Sequence, residues 1–210
     1  MSRLEVPVLL EKESAVRDWV RRRLGSVAHE LRVARVAKMI FALTKRWHGL
    51  GAAEWRLLVL GALAHDVGRC MGEKRHARNG AEMILADKWL PLGETERRRV
   101  AYLARYHKGK VPAAGEDAAL DHDVDDAETM LVLLGILRAA DGLDSRTMGG
   151  PNLVLTLRGR VVQIHGYVEM DVAEAGRLFG RGKKMALLEE MLACEVRTEW
   201  FGTEMGVLVG

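Results

Sequence analysis

The 210-residue sequence predicts a mainly α-helical bundle closed by a small C-terminal β-hairpin and helix addition. Three observations carry this. Two stretches, Leu57–Ala64 and Leu131–Leu137, are almost wholly apolar, as helices at the centre of a core are. Amphipathic segments with a period near 3.6 surround them. After residue 150 the pattern changes to short alternating runs of Leu, Val, Thr and Ile.

Each element follows from its own signals. Residues 11–24 form a first helix, with Ala15, Val16, Trp19, Val20 and Leu24 on one face, ended by Gly25-Ser26. A second runs from Val27 to Trp47, with Leu31, Ala34, Met39, Ile40 and Leu43 inward and His29 in its first turn. After the turn His48–Gly51, the central helix occupies about 52–67 and is expected to stop at Gly68. A polar connector then leads to His76. Asn79–Leu90 reads as a helix closed by Pro91, and Glu94–His107 as another, with Val100, Leu103 and Ala104 inward. A loop spans about 108–125, and Asp125, Asp126 and Glu128 favour the start of the helix Ala127–Leu143 through the macrodipole. Residues 153–157 and 161–164 form two strands around Gly159, and 171–196 returns to helix.

These elements divide the chain into a helical unit, residues 1–150, and a C-terminal hairpin-and-helix segment, 151–210, expected to pack on it. The 49% hydrophobic and 29% charged composition is that of a globular protein. With 32 basic against 29 acidic residues and a pI near 9.0, the charge suits an anionic ligand without demanding nucleic acid. Two cysteines, Cys70 and Cys194, without CxxC spacing indicate a reducing compartment, hence a cytoplasmic protein. No run reaches the ~20 apolar residues of a membrane span.

The chemistry gathers at helix ends. The central helix terminates in His65-Asp66, and burying an imidazole beside a carboxylate costs several kcal/mol unless something pairs with both. A divalent cation would do so. Asp141 ends the second apolar helix, and with His29, His65 and Asp66 it forms a candidate first metal site. His76 and His107 are candidates for a second ion, with Asp66 able to bridge. Two ions about 3.5–4 Å apart would activate a water and clamp a phosphoryl group.

The order His29, His65-Asp66, His76, His107, Asp141 resembles the HD superfamily of metal-dependent phosphohydrolases in its two-metal form. The likeness is closest to the helical HD domain at the C-terminus of exopolyphosphatase and guanosine pentaphosphate phosphohydrolase. It rests on His65–Gly68, Arg105–Lys108 and Leu137–Asp144, and covers roughly residues 27–197. The actin-like domain of that family has no counterpart in this sequence. The resemblance implies hydrolysis of a phosphate ester or anhydride, nucleotide or polyphosphate-like, with Asp66 and His65 at the catalytic centre. The histidine-rich ligand set points to one or two ions of Mn, Fe or Zn rather than Mg. Arg69, Lys74, Arg75, Arg78 and Lys108 flank the ligands and are expected to receive phosphate oxygens.

Other readings of the same residues stand beside this one. Alone, His65-Asp66 would be a buried pair capping a helix, and His107 a helix-end cation. Arg21–Arg23 and Arg97–Arg99 read as solvated helix faces. His48, His122 and His165 read as surface or strand-edge residues, and the acids at 121, 123, 125 and 126 as helix-start groups. Asp144 and Arg138 are expected to orient the helix end, with Asp144 behind the ligands. For function, a di-iron HD oxygenase and a non-catalytic polyphosphate- or nucleotide-binding module are the rivals. The expected partners are a phosphorylated small molecule or polyphosphate and a second copy in a homodimer, with no membrane and no specific nucleic acid.

Overall fold

The computed structural model describes residues 5–111, 120 and 124–203. His122, Asp121 and Asp123 lie outside the described residues. The helices are α1 (Glu5–Leu24), α2 (Ala28–His48), α3 (Ala52–Ala64), α4 (His76–Ala86), α5 (Glu94–Tyr106), α6 (Val124–Gly142), α7 (Val172–Phe179) and α8 (Gly182–Leu192). The strands are β1 (Asn152–Arg158), β2 (Val161–Val168) and β3 (Glu195–Gly202). The mainly helical class with a small C-terminal addition is as the sequence predicts. No helix among the described residues is long and apolar enough to cross a membrane.

Helix α3 is the axis. All of Leu57–Ala64 is buried, because α1, α2, α5 and α6 pack around it and leave no side for polar residues. Leu103 of α5 lies so close to Gly61 that a Cβ there would approach its Cδ1 to 2.4 Å. The second apolar helix, α6, is likewise buried from Met130 to Ala140 save for partial exposure at Leu131 and Arg138.

Several boundaries differ from the sequence expectation. Helix α3 ends at Ala64, not at Gly68; His65 and Asp66 form a turn, and Val67–Met71 follow as a 3-10 helix. Gly68 therefore serves close approach rather than helix termination. A Cβ on it would meet the His76 carbonyl oxygen at 2.1 Å and the Gly80 nitrogen at 2.4 Å, both backbone atoms of α4. That contact sets the first turn of α4 against His65-Asp66. Helix α4 starts three residues earlier than the Asn79 expected, through Arg75 in the left-handed region (φ 64°), so that His76 is its first residue. The expected single helix 171–196 is two helices, broken at Gly180-Arg181 and followed by a strand that period-based reading missed.

The sheet order is β1-β2-β3, with β1 antiparallel and β3 parallel to the central β2. Val162 and Ile164 of β2, with Met185, Leu188 and Leu192 of α8, join the same core cluster as α2, α3 and α6. His165 consequently sits on the central strand, not an edge, 3.5 Å from Glu199. Two other readings are corrected. His48 is half-buried against Phe41, its Nδ1 accepting from the Leu50 amide at 2.9 Å. Arg97 is not solvated; it donates to the carbonyls of Ile84, Asp87, Leu90 and Leu92 and clasps the α4–α5 turn. Arg99 pairs with Asp126 at 2.5 Å and Arg23 with Asp87 at 2.9 Å.

Gly68→Ala forces backbone to move at the α4 contact, and we expect it to destabilise the protein by about 1–3 kcal/mol. Urea unfolding of the variant beside the wild type measures this; an unchanged midpoint would contradict the close-approach role.

Candidate metal centre

Four imidazoles and three carboxylates converge where α2, the α3 end, α4, α5 and the α6 end meet. His29 is 5% exposed, His65 and His76 0%, and His107 and Asp66 2%. A carbonyl oxygen can only accept a hydrogen bond, so each imidazole facing one must carry its proton on that nitrogen. His65 Nδ1 donates to the Ala62 carbonyl, His107 Nδ1 to that of Ala104, and His76 Nδ1 to that of Glu73, each at 2.8 Å. His29 Nδ1 lies 2.5 Å from Asp144 Oδ2. All four Nε2 atoms thus turn inward, which is how second-partner bonding fixes ligand tautomers.

Asp66 lies between two pairs of them. Its Oδ2 is 3.9 Å from His29 Nε2 and 3.9 Å from His65 Nε2. Its Oδ1 is 3.1 Å from His76 Nε2 and 3.4 Å from His107 Nε2. Asp141 Oδ1 completes the first group, 3.4 Å from His29 Nε2 and 3.6 Å from His65 Nε2. Two sets, His29–His65–Asp66 and Asp66–His76–His107, each offer ligand atoms within 4.8 Å of one another. Among the described residues, His65 Nε2 and Asp66 Oδ1 are buried with no hydrogen-bond partner. Unpaired buried polar atoms of this kind are what a divalent ion would satisfy once His65 Nε2 gives up its proton, and the donor set fits one.

Cations surround the carboxylates on the outer side. Arg69 and Arg146 both bond Asp66 Oδ2, Arg146 at 2.9 Å, and Arg146 also bonds Glu30, which is 0% exposed. Arg32 grips Asp144 with two nitrogens, at 2.6 and 3.1 Å. Lys184 Nζ, from α8, is 2.5 Å from Asp141 Oδ2. Arg138 donates to the carbonyls of Tyr106 and Gly109 and so fixes the chain on either side of His107.

Charge proximity orders the protonation states. Burial opposes ionisation of Asp66, but His65, His107 and His76 hold it well below the usual carboxylate range. Asp141 is likewise buried, and His29, His65 and Lys184 hold it well below that range. Burial would push the His65 imidazole down; Asp66 and Asp141 outweigh it and raise the value to about 9. His29 is also raised, against burial, by Asp141 and Asp144. Burial, with His65 nearby, pushes His107 down to about 4.

The structure brings together His29, His65, Asp66, His76, His107 and Asp141. All of them but the fully buried His65 line a cavity of about 420 Å³ whose wall includes Arg69 and Lys108, with Arg146, Arg181 and Lys184. Lys108 Nζ is 3.4 Å from His76 Nδ1. The cavity wall does not include Arg75 or Arg78. Arg75 is exposed at the start of α4, and Arg78 pairs with Glu82 at 2.8 Å on an exposed helix face. Lys74 is exposed on the same connector. Sequence reasoning missed Glu30, Arg146, Arg181 and Lys184. Glu30 looks like an ordinary first-turn acid, and Lys184 stands more than forty residues from Asp141.

Asp144→Ala removes the partner of both His29 Nδ1 and Arg32. We expect a loss of about 2–3 kcal/mol, less than for a fully buried pair because Arg32 reaches solvent. Denaturant unfolding tests this, and a loss under about 0.5 kcal/mol would be that of a surface pair.

The chain matches none of the curated proteins compared with it. Residues 20–154, more than half of the chain and the stretch that holds every inward-facing histidine, match the family model of the Ppx/GppA phosphatase, domain III. The chain therefore belongs to the Ppx/GppA phosphatase family, through that helical domain.

Proposed function

We propose that this protein is an HD-type metal-dependent phosphohydrolase acting on a phosphate ester or phosphoanhydride. The observation that carries the reading is Asp66, a buried carboxylate with one oxygen toward His29 and His65 and the other toward His76 and His107. Membership of a phosphatase family gives the reaction class its direction.

In this reading His29, His65, Asp66 and Asp141 hold one ion, and Asp66, His76 and His107 a second. A bound divalent ion supplies Lewis acidity toward a phosphoryl oxygen and lowers the pKa of water. The preponderance of imidazole favours Mn, Fe or Zn over Mg, which prefers all-oxygen ligation. The remaining work falls to the protein's own side chains. Asp144 and the carbonyls of Ala62, Glu73 and Ala104 keep the imidazole lone pairs directed inward. Arg69, itself bonded to Asp66 and Glu73, and Lys108 on the cavity wall present positive charge to phosphate oxygens. Asp66 and His65 stand at the catalytic centre, and the buried walls of α3 and α6 exclude water from behind them.

The test uses the full chain, stripped of metal and reloaded separately with Mn²⁺, Fe²⁺, Zn²⁺ and Mg²⁺. Each form is assayed on nucleotides, inorganic polyphosphate and an aryl phosphate. We expect metal-dependent phosphate release that falls more than about 100-fold in Asp66→Ala, since groups that merely orient ligands are worth 10–100-fold. Undiminished release from Asp66→Ala overturns the proposal. Oxygen uptake by the iron form without phosphate release replaces it with the oxygenase reading. Salt-sensitive polyphosphate binding without turnover replaces it with a binding module.

A further inference from the structure

Asp141 belongs to α6, but what it can offer is decided partly by α8. The two helices are pressed together at two glycines of α6. A Cβ at Gly135 would lie 3.0 Å from the Leu188 backbone nitrogen, and one at Gly142 would lie 2.7 Å from the Lys184 Cβ. Leu188 and Lys184 are one turn apart on α8, so the glycines open a slot in which the lysine stem lies. The ammonium ends 2.5 Å from Asp141 Oδ2 and 3.5 Å from the His107 carbonyl oxygen. It is thus bonded to the first ligand group through a side chain and to the second through backbone. Lys184 is only 22% exposed and Asp141 16%.

The plain reading is a bond that pins α8 to α6, a small contribution for a partly exposed pair. Yet α8 is already held by Met185, Leu188 and Leu192 in the core, and needs no ion pair to dock. The lysine falls instead on Asp141, a carboxylate that faces two imidazole nitrogens. With Oδ2 engaged, Oδ1 alone faces His29 and His65.

We propose that Lys184 is a positioning residue of the metal centre: it holds back one oxygen of Asp141 and, through its charge, weakens the site's hold on divalent ions. This rests on the metal-binding reading above. The C-terminal segment then tunes a centre whose ligands all lie before residue 142, which keeps ion affinity lower than the ligand set alone would give.

The experiment is a Co²⁺ titration of the metal-free full chain, followed by calorimetry and visible absorption, for the wild type, Lys184→Met, Lys184→Arg and Gly142→Ala. Circular dichroism confirms folding of each. Lys184→Met keeps the apolar stem and loses the charge; it is expected to bind Co²⁺ about tenfold more tightly and to show an altered absorption spectrum. Lys184→Arg restores affinity toward the wild-type value. Gly142→Ala crowds the lysine stem and shifts affinity in the same direction as Lys184→Met, by less. A folded Lys184→Met with equal or weaker affinity assigns the lysine a docking role only and overturns the proposal. If that variant does not fold, unchanged or weaker affinity in Gly142→Ala overturns it equally. A wild type that binds no Co²⁺ removes the metal reading and this inference together, whereas wild-type binding with indifferent variants removes this inference alone.

Discussion

A carboxylate that is 2% exposed and divided between two pairs of imidazoles is the constraint on which the rest of this structure depends. Taking Asp66 out of water carries a penalty of several kcal/mol, which only close and well-directed partners offset. Those partners come from α2, the α3 turn, α4 and α5, so four segments must end at one point and arrive at fixed angles. The surrounding guanidiniums of Arg69 and Arg146 complete the balance on the solvent side. The bundle is thus organised around a polar point, with its apolar helices as the walls.

Those walls explain the packing details. From Leu57 onward helix α3 has no polar side because it has no wet side, and its last residue delivers the His65-Asp66 turn into the interior. Gly61 and Gly68 permit the close approaches of α5 and α4 that bring His107 and His76 within reach. The family match over residues 20–154 spans this arrangement. Beyond it, the sheet and α8 share the main core and return a cation to the site.

Much of this was legible in the sequence, and the reasons are physical. Apolar runs without periodicity mark α3 and α6 as central, and ligand-type residues at their ends mark the meeting point through His65, Asp66 and Asp141; His29, His76 and His107 stand at the ends of other helices and are joined to them by the ligand order of the family the sequence resembles. The helix-then-strand change near residue 150 was equally visible. What escaped were features set by tertiary contact. Gly68 looks like a helix stop because termination is its commonest use, yet here it answers to the backbone of α4. Strand β3, with alternating polar and half-buried residues, draws its identity from pairing with β2 and not from composition. Arg75 and Arg78 were credible phosphate contacts by proximity in sequence, but a helix turns neighbours to different faces, and Arg78 faces Glu82. Lys184, Arg181 and Arg146 approach from distant segments, where nothing local distinguishes them from surface charges.

The anchoring of the imidazoles also bears on how this protein can vary. Three of the four lean on a main-chain oxygen three residues earlier, at Ala62, Glu73 and Ala104. Main-chain oxygens are present whatever side chain occupies the position, so the orientation of these three rings does not depend on the side chains at 62, 73 and 104. His29 alone leans on a side chain, Asp144, whose other oxygen answers to Arg32. Keeping the His29 orientation therefore couples positions 29, 32 and 144, while the other three imidazoles are secured by the main chain itself.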